Sequence, residues 1–297
     1  MPPSVEIRNL TKTFGRIVAV RDVSLKLDSP GIVTILGPNG AGKTTLMKIM
    51  TGISRATSGS VLVNTLSITD NLAKALGYMG TLVEQPEFYS YLRGQEILEF
   101  TCRIRGMSVG EARIRIREIA ELTGCSAYLD RKAGGYSRGM KQRLGLAAAL
   151  VHDPEIIILD EPTFGLDPRG MFEIRNILKE LNRRHEKIII MSTHLIQEAK
   201  EISDRVIIMN NGSVVKDMRN EERNLLKIRV AGGASSLNPS VIPDGLRVDG
   251  EYIISDSTGD VPAILKRLLD AGIRFDRVQE YDDLEEIYLK NVDVSVR

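Results

Sequence analysis

The sequence predicts an α/β chain: a mostly parallel sheet covered on both faces, interrupted by a helical insertion and followed by a small α+β unit. Three observations predict it. Short apolar runs alternate with segments of helical period between residues 32 and 210, the pattern of a parallel sheet wrapped by helices. A glycine-rich turn separates one largely apolar run, residues 32–36, from the helical segment that follows it. After Asn211-Gly212 the composition changes, and a new series of strand and helix patterns begins.

In chain order, residues 5–10 (VEIRNL) and 23–27 (VSLKL) alternate apolar and polar, as half-buried strands at a sheet edge do. Residues 32–36 (IVTIL) are apolar apart from Thr34, which suits a strand buried on both faces. Residues 44–50 (TTLMKIM) take helical spacing, and residues 58–64 return to strand character. From about residue 93 to 123 the period is helical, with Ile97, Leu98, Phe100 and Ile104 on one stripe and Ile114, Ile119 and Leu122 on another. These segments form an insertion over about residues 86–136. A helix is predicted over 137–151, then strand 156–159, helix 170–184, strand 187–192, helix 195–202 and strand 205–210.

The first domain therefore spans residues 1–219 and a small α+β domain spans 220–297. In the second, Gly232, Gly233, Ser235 and Ser236 read as loop, and Asp249-Gly250 between apolar runs is a hairpin signal. A helix begins after Asp260, whose carboxylate suits its free amides. A strand over 273–278 follows, and Asp282 or Asp283 caps a last helix ending near Leu289.

Of the 297 residues, 42% are hydrophobic and 27% charged, enough for a sizeable core. The net charge is +1, although 15 acidic and 10 basic residues give residues 221–297 a charge of −5 and leave +6 on the rest. No polyanionic partner is indicated, and no nucleic acid is expected. Cys102 and Cys125 are the only cysteines, 23 residues apart, beside three histidines. Neither a disulfide framework nor a Cys/His metal site fits that count. The opening MPPSVEIRNL has no basic and apolar regions of a signal peptide. No apolar stretch reaches the roughly 20 residues a membrane helix needs, so the chain is not expected to cross a membrane.

Gly37, Pro38, Asn39, Gly40, Ala41, Gly42, Lys43 and Thr44 fit the pattern GxxxxGK[ST], between a buried strand and a helix. Glycines let successive backbone N–H groups converge on a β-phosphate, and the helix N-terminus adds a favourable dipole. Lys43 places a cation between the β- and γ-phosphates, Thr44 offers a hydroxyl to Mg²⁺, and Thr45 can bond the α-phosphate. Residues 156–161 read IIILDE. A buried parallel strand delivers Asp160 to the sheet edge where ligands gather. There Asp160 can hold Mg²⁺ through water, and Glu161 can polarise the water that attacks the γ-phosphate of ATP.

The segment from Tyr136 to Arg143, YSRGMKQR, ends 17 residues before Asp160 and resembles the signature motif of ABC-transporter ATPases. The order phosphate loop, helical insertion, signature, Asp160-Glu161-Pro162, Gly165-Leu166-Asp167-Pro168 and Ser192-Thr193-His194 is similar to that family over about residues 4–215. The resemblance implies a P-loop NTPase cassette with an antiparallel N-terminal β-subdomain. It implies that Phe14 stacks on adenine and that Ser137 and Gly139 contact the γ-phosphate of a nucleotide held by a second copy. Asp167 would serve the loop linking the two sites, and His194 would contact the γ-phosphate.

Two positions depart from the family pattern. Tyr136 and Arg138 replace the first and third residues of Leu-Ser-Gly-Gly, a variation similar to drug and peptide-antibiotic efflux ATPases. In the loop that supplies a glutamine to the metal and the membrane partner, either Glu84 or Gln85 fills that place. A carboxylate there would be a charged metal ligand. The resemblance thus implies a head-to-tail homodimer hydrolysing ATP with Mg²⁺. It would drive a separate transmembrane permease, docked partly on the helical insertion, from the cytoplasmic face of the membrane. Export is the implied direction. A soluble ABC ATPase acting on ribosomes or DNA is the alternative, although such relatives usually carry two cassettes or a long coiled coil. The signature argues against a small-molecule kinase.

Overall fold

A computed structural model describes residues 2–185, 187–219, 224–237, 241–255, 261–282 and 284–292. The chain divides into two compact units, Met1–Asp217 and Met218–Arg297.

The first unit opens with β1 (Val5–Phe14) and β2 (Ile17–Leu27), an antiparallel hairpin. Next come β3 (Gly31–Leu36), α1 (Lys43–Met50), β4 (Ser58–Val63), β5 (Leu66–Ser67), α2 (Leu72–Gly77) and β6 (Met79–Leu82). Helices α3 (Gly94–Ile104), α4 (Val109–Thr123) and α5 (Arg138–Leu150) make up the insertion and its exit. The alternation then resumes with β7 (Ile156–Leu159), α6 (Pro168–His185), β8 (Ile188–Thr193), α7 (Ile196–Ile202), β9 (Arg205–Asn210) and β10 (Ser213–Arg219).

These strands form two sheets. One is antiparallel, in the order β2-β1-β4-β5. The other has the order β10-β9-β3-β8-β7-β6, with parallel pairing from β9 through to β6. Because side chains alternate across a strand, the central strands feed two cores. Ile157, Leu159, Ile189 and Met191 pack with Leu144 of α5 and Leu178 of α6. Ile156, Ile158, Ile188 and Ile190 pack with Leu46 and Met50 of α1 and with Val5 and Ile7 of the antiparallel sheet. Burial on both faces is why β7 and β8 read as unbroken isoleucine runs.

The predicted stripe on α3 needs correction. Its buried face is Gly94, Ile97, Leu98 and Cys102, whereas Phe100 and Ile104 are 62% and 68% exposed. A helix turns about 100° per residue, so Phe100 lies about 60° from Ile97 on the side away from Leu98, whereas Ile104 is close to Ile97 in azimuth and is exposed as the last residue of the helix. On α4, Ile119 is buried but Ile114 is exposed. The sequence reading also passed over β5, α2, β6, β10 and the strand Asn224–Val230.

The second unit contains β11 (Asn224–Val230), β12 (Leu246–Asp249), β13 (Tyr252–Ser255), α8 (Val261–Asp270), β14 (Phe275–Asp282) and α9 (Leu284–Asn291). Its antiparallel sheet has the order β12-β13-β11-β14. Leu226, Ile228, Ile253, Ile264 and Leu268 form its core. The predicted strand over 273–278 starts later, at Phe275, and runs on to Asp282. Asp260 and Asp283 lie outside the described residues.

Candidate active site

Parallel pairing aligns four strand ends. Leu36 of β3 pairs with Thr193 of β8, Leu159 of β7 with Met191, and Leu82 of β6 with Leu159. Just beyond those ends lie Gly37, His194, Asp160 and Glu84. Two backbone bonds lace the rim: Gly37 N–H donates to the Thr193 carbonyl at 3.2 Å and Asp160 N–H to the Leu82 carbonyl at 2.8 Å. A cleft of about 270 Å³ opens there, lined by Thr44, Glu84, Gln85, Gln142, Asp160, Glu161 and Phe164.

The phosphate-binding loop bends over this edge. Gly42, at φ +101°, is the N-cap of α1, and a side chain on it would collide with the Ala19 carbonyl. No side chain caps α1, so its first-turn N–H groups stay open to an anion. Lys43 is only 4% exposed. Its ammonium donates to the carbonyls of Gly37 and Pro38 at 2.8 and 3.0 Å and lies 3.6 Å from Oε1 of Glu161. Burial pushes its pKa below the ordinary lysine value, while the carboxylates of Glu161 and Asp160 oppose the shift.

Ser192 joins the two acids. Its buried hydroxyl donates to Oδ1 of Asp160 at 2.6 Å and accepts the N–H of Glu161 at 2.9 Å. Glu161 sits at φ +45°, a left-handed conformation that costs a non-glycine residue about 1–3 kcal/mol. The two bonds to Ser192 hold that turn against the strain. Oε2 of Glu161 is 3.2 Å from Nδ1 of His194. The structure thus gathers Lys43, Thr44, Asp160, Glu161 and His194 at one edge, with Glu84 and Gln85 on the cleft wall. Glu84 stands at φ +66° and its carboxylate pairs with Lys48 of α1.

The remaining candidates stand elsewhere. Phe14 ends β1, is 53% exposed, and carries the Lys12 ammonium 4.8 Å over its ring centre. Ser137 is exposed and caps α5, accepting the Met140 N–H at 3.3 Å. Gly139 lies in the first turn of that helix. Asp167 caps α6, accepting the Gly170 N–H at 2.9 Å. Tyr136 explains its own departure from leucine: it is buried edge-on to Tyr128 and donates to the Tyr128 and Arg131 carbonyls at 2.7 and 3.2 Å. It anchors the signature loop from beneath.

Sequence reasoning missed Ser192 as a bridge, Gln142, which donates to the Pro162 carbonyl at 2.8 Å, and Glu198. Glu198 is buried on α7 and accepts the Thr163 hydroxyl at 2.7 Å. Its position could have been read: Leu195, Glu198, Ala199 and Ile202 have the spacing of one helical face. Burial raises its pKa above the ordinary 4.5, against the lowering effect of hydrogen bonds to Thr193 and Thr163. A carboxyl raised on folding lends stability in acid and loses it as pH climbs past the unfolded value. The unfolding free energy of Glu198→Gln, relative to wild type, should therefore move in the variant's favour as pH rises above about 4.5. A difference independent of pH in denaturant titrations would contradict a carboxyl whose pKa is raised by burial.

Among the described residues no group of three or more His, Cys, Asp or Glu side chains forms a metal cage. The cleft instead offers a hydroxyl, a carboxylate and a choice of carboxylate or amide at Thr44, Asp160 and Glu84 or Gln85. These hard oxygen donors suit Mg²⁺, which takes few protein ligands and completes its shell with phosphate oxygens and water. No helix among the described residues is long and apolar enough to cross a membrane.

A phosphate loop at the edge of a parallel sheet, facing paired acids and a histidine, with a helical insertion alongside, defines an ATP-binding cassette. The family model described as ABC transporter matches residues 20–164, and the chain belongs to the ABC transporter ATP-binding proteins. It is 36% identical over 284 residues to the uncharacterized ABC transporter ATP-binding protein YhcH of Bacillus subtilis, covering 94% of this chain and 92% of that one. It is 33% identical over 296 residues to the bacitracin transport ATP-binding protein BcrA of Enterococcus faecalis, covering 96% and 95%. Among solved structures, the ATP-binding cassette MJ0796, a dimer in a post-hydrolysis state bound to ADP and Pi, superposes with a TM-score of 0.67 at 28% identity. That match covers 73% of this chain and 98% of that one. The chain is an ATP-hydrolysing subunit of an ABC transporter.

Proposed function

We propose that two copies of the chain close head to tail over two ATP molecules and drive a separate membrane-spanning permease that exports drug or peptide-antibiotic substrates. The observation that carries this reading is the division of the motifs. Lys43, Thr44, Asp160 and Glu161 meet at one cleft, while Ser137 stands exposed at the start of α5 with its hydroxyl capping its own helix. That arrangement is half of a site on each of two surfaces.

In the closed pair, Ser137, Gly139 and the N-terminus of α5 meet the γ-phosphate bound by the other copy. Residues 37–45 cradle the phosphates, Lys43 exchanges its two carbonyl partners for β- and γ-oxygens, and Phe14 offers its free face to adenine. Thr44 and Asp160, with Glu84 or Gln85, would hold Mg²⁺, which when bound neutralises charge on the phosphate oxygens. Glu161 polarises the attacking water, His194 contacts the γ-phosphate, and Asp167 serves the loop between the two sites. The dimeric, ADP-bound relative supports closure on nucleotide, and the bacitracin-transport relative supports export.

The permease surface is assigned to the helical insertion. Phe100, Ile104, Val109, Tyr89 and Tyr91 are exposed there, beside a groove of about 400 Å³ between α3 and α4. Exposed apolar side chains along this insertion suit an interaction site. The subunit would then sit peripherally at the cytoplasmic face of the membrane. Affinity purification of the tagged chain from detergent-solubilised cells is expected to recover a protein with several membrane spans. Recovery of ribosomes or DNA in its place would overturn the transport reading.

A further inference from the structure

Arg138 and Phe164, which sit in two different motifs, touch. The Arg138 guanidinium lies over the Phe164 ring, 4.9 Å from its centre. It lies where a Cβ on residue 165 would point, and Gly165 stands at φ +71°, a conformation that favours glycine. On its other side Phe164 meets His194 edge-on, with ring centres 5.9 Å apart and planes at 70°. His194 needs that contact. Among the described residues its buried Nδ1 has no hydrogen-bond partner, and it lies 3.2 Å from Oε2 of Glu161 without hydrogen-bond alignment. The imidazole is thus set by packing, and Phe164, which also lines the cleft, supplies a wall of that packing.

We infer that Arg138 and Phe164 are positioning residues, a stacked pair that ties Ser137, facing the second chain's nucleotide, to His194 and Glu161 of its own site. This rests on the two-chain reading above. Arg138 directly follows Ser137, so a shift of Ser137 on meeting a phosphate moves the guanidinium. The guanidinium holds the Phe164 ring, and the ring sets the imidazole beside the carboxylate. Arg138 thereby acquires a reason to replace the usual glycine of the signature, and Phe164 a reason to be aromatic although about half of its surface is exposed.

A double-mutant cycle on the full chain tests the inference. Arg138→Ala and Phe164→Leu are each expected to lower kcat roughly 3- to 30-fold, the range of coupling changes seen for residues between sites. KM for ATP should stay within about twofold, since neither side chain holds the nucleotide's base or its α- and β-phosphates. The double variant should be no slower than the slower single variant to within about twofold, because both changes remove one contact. Arg138→Lys and Phe164→Tyr, which keep a cation and a ring, should recover much of the loss, and thermal melts check that each variant folds. Effects that multiply in the double variant, or an unchanged kcat in either single variant, overturn the inference. Loss of ATP-dependent dimerisation in the wild type would instead remove the two-chain reading, so the two failures are distinguishable.

Discussion

Replacing Glu161 with glutamine is expected to lower ATP turnover by about 10²- to 10⁴-fold, the range for a positioned acid–base group, while leaving ATP binding within a few-fold. Gln keeps the size of the side chain and leaves intact the backbone bond from residue 161 to Ser192, so the strained turn at φ +45° should survive. The carboxylate that faces both Lys43 and His194 at 3.6 and 3.2 Å is lost. An amide cannot polarise water as a carboxylate does, and it cannot accept a proton. Single-turnover hydrolysis beside equilibrium nucleotide binding separates the two effects. Turnover near the wild-type rate would remove Glu161 from the catalytic assignment.

The second large effect is expected at Lys43. Lys43→Met should weaken ATP binding roughly 10- to 100-fold, the equivalent of a charge-assisted bond of ~1.5–3 kcal/mol. Turnover should fall by about a further 10²–10³-fold, the cost of removing a donor aimed at developing charge. The ammonium is already desolvated in the loop, held only by two carbonyls and the nearby Glu161 carboxylate. A phosphate entering the loop therefore meets a cation whose dehydration has been completed on folding. Isothermal titration with ATP and with ADP checks the prediction: the loss should be larger for ATP, whose γ-phosphate Lys43 is proposed to reach. Equal affinity in variant and wild type would contradict the placement.

The fold was legible in the sequence wherever both faces of an element are buried or its ends carry strong chemistry. Residues 156–159 and 188–191 are apolar runs of isoleucine, leucine and methionine followed by polar residues; β7 ends with its run, and β8 continues two residues further, through Ser192 to Thr193. β6 escaped notice because Gly80 interrupts its four residues. A Cβ at Gly80 would collide with the Ala149 carbonyl, so that strand needs its glycine for close approach to α5. The stripe on α3 was misassigned because Phe100 and Ile104 are as apolar as the buried residues, and hydrophobicity alone does not say where the buried face stops or how far along the helix it reaches.

The site divides in the same way. The phosphate loop, Asp160 and Glu161 announce themselves because their residue types and spacing are dictated by phosphate chemistry. Ser192, Glu198 and the Arg138–Phe164 contact could not be read as partners, since each joins segments 20 to 40 residues apart whose meeting depends on sheet order. Tyr136 looked like a departure and proved to be an anchor, buried with two carbonyl bonds. Whether Glu84 or Gln85 reaches a metal depends on a loop in which both line the cleft and Glu84 is held by Lys48.

The central claim, that each chain holds half of two shared sites, has one direct measurement. Sedimentation velocity of the Glu161→Gln chain with and without MgATP should show a 32.9 kDa monomer converting to a species of twice that mass when nucleotide is present. Adding Ser137→Arg, on the surface proposed to meet the phosphate loop of the second copy, should return it to the monomer with ATP still bound. A monomer in every condition, or a dimer indifferent to Ser137→Arg, would contradict the account.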